Sequence, residues 1–131
     1  MATQEVFGQI CRRVCQQQGW ELLPSGVQIT FADGRHQLVS LEFFESEREE
    51  LVRLYTTIGA VDGMDARRLV AALRINARLA HGALAVRDDA LVMIDTLMLE
   101  DADAAEIEAS IAYLAETADY YEKVLFGTDE Y

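Results

Sequence analysis

The sequence predicts an α+β fold in the order αβββαββα: a helix, three strands, a helix, two strands and a long acidic helix, arranged as an antiparallel sheet packed with helices in two layers. Three observations carry this. Apolar residues recur at helical spacing in three separated stretches, they alternate with period two between those stretches, and the connections are short, which favours antiparallel neighbours. At 131 residues the chain fits one domain spanning 1–131, large enough to bury about two thirds of the surface its unfolded form exposes. Proline occurs once, at Pro24, and aliphatic residues are plentiful, so the composition is that of a compact protein rather than a disordered one.

The first helix spans residues 3–18, with Thr3 as its N-cap. Val6, Phe7, Ile10, Cys11 and Val14 form one apolar stripe, and Arg12, Arg13, Gln16 and Gln17 fall elsewhere. Gly19 stops the helix, and Pro24, Ser25 and Gly26 supply a turn. From Val27 the period changes to two: Val27, Ile29 and Phe31 alternate with Gln28, Thr30 and Ala32 before the hairpin signal Asp33-Gly34. The return strand runs through Leu38, Val39, Leu41, Phe43 and Phe44. The acidic group from Glu45 to Glu50 interrupts it, and Leu51 to Ile58 forms a third strand.

Asp65 caps a second helix predicted to reach Ala80. It carries two apolar stripes, one of Ala66, Leu69, Val70, Leu73 and Ala77 and one of Ala72, Ile75 and Leu79, with Arg67, Arg74 and Arg78 between them. Two stripes require two surfaces, either a groove of the same domain or a second copy of the helix. His81 and Gly82 follow as a C-terminal stop, Ala83 to Val86 as a fourth strand, and Leu91 to Leu99 as a fifth that is apolar on both faces. Asp103, with Glu106 three residues on, opens a final helix that runs to Phe126 before Gly127. Its buried stripe is Ile107, Ile111, Leu114, Ala118, Tyr121 and Leu125.

The net charge of −12 argues against nucleic acid, since Lys and Arg must neutralise a phosphate backbone. Ten acids and one base lie between Glu100 and Tyr131, so the charge is concentrated at the C-terminal end, where it solvates the surface or steers a basic partner. No apolar run has the length of a membrane span or of a signal peptide's core, which places the chain in the cytoplasm as an expectation.

Motifs for catalysis are missing: the sequence holds no phosphate-binding Gly-rich loop, no HExxH, no CxxC and no nucleophile elbow, and a non-enzymatic role is expected. Cys11 and Cys15 stand four apart on the first helix, where buried thiols are expected rather than a zinc site, because His36 and His81 alone remain to complete one. Glu45, Glu47, Glu49 and Glu50 lack the alternating spacing of a calcium loop. His81 reads as a helix C-terminal cap rather than an acid–base group. No cofactor or metal is expected.

The order of elements, the stretch Leu73-Arg74-Ile75-Asn76-Ala77-Arg78-Leu79-Ala80-His81-Gly82-Ala83-Leu84-Ala85-Val86, the following Leu91-Val92-Met93 and the acidic last helix resemble the class I type III secretion chaperones, that is, the Tir chaperone (CesT) family and the related YbjN-like proteins. That resemblance implies a small homodimeric protein that holds an extended segment of a client on apolar patches without catalysis. It assigns Leu69, Ala72, Leu73, Ile75 and Leu79 to the dimer contact and Val6, Ile10 and Val14 to the client. The alternative is a YbjN-like regulatory or immunity-type inhibitory protein that masks a basic partner by charge complementarity.

Overall fold

The computed structural model describes residues 2–126, and the expected Gly127 cap lies outside them. Helix α1 (Ala2–Gln18) leads into strands β1 (Glu21–Leu23), β2 (Gly26–Thr30), β3 (His36–Ser46) and β4 (Glu49–Ala60). Helix α2 (Ala66–Ile75), strands β5 (Ala83–Arg87) and β6 (Ala90–Met98), and helix α3 (Ala104–Leu125) complete the order. The strands form one antiparallel sheet ordered β1-β2-β3-β4-β6-β5, so the last strand made inserts between β4 and β5.

Period-two alternation sorts the side chains between two faces. Along β4, Val52, Leu54, Thr56 and Ile58 are buried while Arg53, Tyr55 and Thr57 are half-buried. The buried face meets α3, which packs on β3, β4, β6 and α1. Val27, Val39, Leu54, Ile58 and Met93 from the sheet close on Phe7 and Cys11 of α1 and on Ile107, Ile111, Leu114, Ala115 and Ala118 of α3. The two alanines carry little bulk and let α3 lie close to the strands.

The predicted order holds, with a strand added and several boundaries moved. Pro24 and Ser25 do turn the chain, but Leu23 pairs with Gly26 across them and makes β1 a strand of its own. Gly26 must be small there, because a Cβ would run into the Val39 carbonyl oxygen. The Asp33-Gly34 hairpin is present: Gly34 sits at φ +89°, and Asp33 Oδ1 accepts the Arg35 N–H at 3.0 Å.

The acidic interruption expected at 45–50 is a correction. Ser46 pairs with Glu49, and a two-residue turn at Glu47 (φ 50°) and Arg48 (φ 69°) joins strands that continue through the acids. Thr3 is also a correction, since it lies inside α1 rather than capping it.

Asp65 and Asp103 cap α2 and α3 as expected, accepting the N–H groups of Arg68 at 2.9 Å and Glu106 at 2.8 Å. The end of α2 differs, at Ile75 rather than Ala80. There the N–H groups of Asn76, Ala77 and Arg78 tighten onto carbonyls three residues back. The first half of β6 is buried on both faces, with Met93 toward the helices and Val92 beneath Tyr55 and Arg87 on the other side, while Thr96 and Met98 farther along are exposed.

Candidate functional site

A groove of about 480 Å³ lies between the N-terminal half of α1 and the β1–β3 corner of the sheet. Glu5, Gly8, Gln9 and Arg12 recur at helical spacing along its α1 side, and Leu22, Leu23, Pro24, Leu41 and Phe43 form the sheet side. Gly8 opens the wall, since a Cβ there would meet nothing within 4 Å. Phe7 and Phe43 meet edge to face at 5.7 Å and brace the floor, with Phe43 38% exposed and Leu22 39% exposed. The arrangement is an apolar floor with one acid and one base on its rim, open along the short edge strand β1.

Cys11 lines the base of the groove and touches Cys15. Burial, reinforced by Cys15, pushes the Cys11 thiol up to about 12, and burial raises Cys15 as well. Both are free, buried, protonated thiols, unsuited to nucleophilic attack. Among the described residues no group of three or more His, Cys, Asp or Glu is placed to hold a metal ion, and no helix is long and apolar enough to cross a membrane.

The structure separates the residues that the sequence grouped on α1. Val6 is exposed but lies outside the groove lining, Ile10 is half-buried against the core, and Val14 is buried. Phe43, Leu22 and Gly8 were missed, although a glycine in an otherwise regular helix is a signal of open space or close approach. On α2, Ala72 is buried and Leu69 and Ile75 pack on the core of the same chain, as does Leu79 beyond the helix end. Leu73 faces outward at 64% exposure, as does Val70 one turn before it, which was not assigned to a contact.

The face of the sheet away from α1 and α3 carries a stacked ionic ladder. Glu42 accepts from Arg53 Nη1 at 3.1 Å and from Arg87 Nη2 at 2.7 Å, while the two guanidinium groups lie over Phe44 and Tyr55. The hydrogen bond from Arg87, and then that from Arg53, hold the Glu42 carboxyl below its usual range. Beneath α3, Arg35 Nε donates to Asp119 Oδ1 at 2.8 Å and Nη2 stands 3.7 Å from Glu122 Oε1. Gln37 Nε2 donates to Thr56 Oγ1 at 2.8 Å. His81 is a correction: it does not cap α2 but meets the Tyr113 ring edge to face at 5.5 Å.

No protein-family model matches the chain, and no curated protein does. Solved structures do match. A chain of the ExsC–ExsE complex shares 13% identity over 92% of this chain and 94% of its own, with a TM-score of 0.64. A chain of the heterodimeric ExoU–SpcU complex from the Pseudomonas aeruginosa type III secretion system shares 18% over 88% and 98%, at 0.59. The Yersinia pestis type III secretion chaperone SycH, solved with a stable fragment of YscM2, gives 14% over 86% and 97%, at 0.53.

The fold is that of the type III secretion chaperones. A chain of the HopA1–SchA chaperone–effector complex matches as well, at 10% identity over 89% of this chain and a TM-score of 0.59. At such identities the secretion-chaperone likeness resides in the path of the chain, and the groove must be judged on this protein's own residues.

Proposed function

We propose that the protein is a non-catalytic binding module that holds an extended apolar segment of a partner protein in the groove between α1 and the β1–β3 corner. One observation carries this: the apolar floor of Phe7, Leu22, Leu41 and Phe43 opens beside an edge strand. An extended segment laid there can set alternate side chains into the groove while its backbone faces β1. The likeness to SchA in a chaperone–effector complex and to SycH with a bound fragment supports the same reading.

The test is a photo-crosslinking residue placed at Leu22, with another at Glu116 on the exposed side of α3 as control. The reading requires a crosslink to one short apolar stretch of the partner from Leu22 and none from Glu116, and at least tenfold weaker binding in Phe43→Glu with the fold intact. Equal crosslinking from both positions, or unchanged affinity in Phe43→Glu, overturns it.

The protein acts as a homodimer in the cytoplasm on this proposal, with the α2 end of the sheet as the contact between copies. Among the five residues assigned to that contact, Leu73 supplies outward apolar surface, while Leu69, Ala72 and Ile75 of α2, and Leu79 beyond it, pack on the core of their own chain. Leu73→Asp is therefore expected to give a folded monomer by light scattering. Ile75→Asp buries a charge in the protein's own core and unfolds it. A Leu73→Asp variant that keeps the dimer mass removes α2 from the interface.

A further inference from the structure

We infer that Asn76 closes the β5 edge of the sheet to strand addition. Strand β5 is the outer strand at this end, and its inward partner is β6. In an antiparallel pair, alternate residues point their N–H and C=O groups toward the neighbour and the others point them away. Leu84 points away, and its two backbone groups meet a single side chain. The Leu84 N–H donates to Asn76 Oδ1 at 2.6 Å, and Asn76 Nδ2 donates to the Leu84 carbonyl at 3.1 Å.

A primary amide carries the same donor and acceptor as a peptide group, so this two-bond ring reproduces what one residue of a further strand would make. Asn76 thus stands in the place of a seventh strand. It is held there by the tightened turn that ends α2, where its own N–H bonds to the Leu73 carbonyl at 3.2 Å.

Only Asn fits the position among the common alternatives. Asp lacks the donor and would set a carboxylate against a carbonyl oxygen, Gln displaces the amide by one methylene, and Ala leaves both Leu84 groups open. The next outward-pointing residue on the edge is Val86, whose side chain is 58% exposed. Asp88, at φ 53°, then ends the strand. Leu84 and Val86 are therefore the two outward residues of β5, and Asn76 removes the first. Unpaired edges recruit other chains, and natural sheets blunt them with such devices. The occupant that Asn76 excludes is a second copy of this chain pairing β5 to β5, since the same open edge would be present on every molecule.

The experiment compares wild type, Asn76→Ala and the double variant Asn76→Ala/Val86→Pro by amide hydrogen exchange and by sedimentation over a range of concentrations. In Asn76→Ala the Leu84 amide is expected to lose at least tenfold in protection, and the protein to associate beyond the wild-type mass as concentration rises. Proline removes the second outward N–H of the edge and is tolerated there, so the double variant returns to the wild-type mass. Asn76→Gln, expected to show the same two effects in smaller measure, serves if Asn76→Ala does not fold. Unchanged Leu84 protection overturns the inference. So does an opened edge without new association, or an association that survives Val86→Pro.

Discussion

Removing Arg35 is costly, because its guanidinium sits between Asp119, 12% exposed, and Glu122, whose side chain is fully buried. Arg35→Met keeps the aliphatic volume and deletes the charge, leaving two carboxylates under α3 without that cation. Breaking a buried ion pair from one side costs about 3–5 kcal/mol, and urea unfolding at neutral pH is expected to show a loss in that range. Glu122→Gln removes a buried charge instead and costs less.

The thiols give a second residue-scale prediction with a definite sign. Folding raises the Cys11 thiol to about 12, so its contribution is complete below the ordinary thiol range and is lost as pH rises through that range toward 12. Folded protein is expected to resist a thiol reagent at pH 8, with both cysteines reacting only once urea unfolds the chain. Rapid labelling of the native protein would show that the thiols are accessible. The thiol burial was legible from two cysteines four apart on the first helix, one of them on its apolar stripe. The Arg35 cluster was not, because a glutamate in an acidic helix reads as solvated and Asp119 lies 84 positions from its cation.

Elements were legible wherever periodicity and turn chemistry agreed. The hairpin at Asp33-Gly34 and the aspartate caps at 65 and 103 are local signals, and they appear where expected. The hairpin at 47–48 escaped because its tight turn uses Glu and Arg where Asn-Gly is the usual signal, and six acidic or polar residues mimic a loop. Strand β1 has three residues, too few to display a period. Both misses yield tests. Replacing Glu47-Arg48 by Asn-Gly relieves two left-handed residues and is expected to stabilise the protein by about 1 kcal/mol in thermal unfolding, with β3 and β4 unchanged. Gly26→Ala drives a methyl into backbone that cannot rotate away, and is expected to destabilise by about 1–3 kcal/mol. A neutral outcome would place the start of β2 farther from β3 than the structure does.

At the scale of the whole molecule, charge separates the contacts proposed for the two ends of the sheet. Each chain carries −12, so two copies meeting at α2 repel one another through the solvent, and exposed apolar groups such as Leu73 and Val70 supply the attraction proposed for that contact. Raising salt from 0.1 M to 1 M shortens the screening length from about 10 Å to about 3 Å. Dimer dissociation measured by sedimentation is therefore expected to weaken as salt rises, the reverse of an ion-paired interface. Binding in the groove rests on Phe7, Leu22, Leu41 and Phe43, with one acid and one base on the rim, so its affinity should change by no more than about twofold over the same range. A basic partner held by the acids of α3 behaves oppositely to both, losing affinity steeply as its attraction is screened. A tenfold loss of partner affinity between 0.1 M and 1 M salt would move the binding surface from the groove to the acidic helix. Constant affinity together with a tightening dimer is the pattern that the apolar groove and the outward α2 residues jointly require.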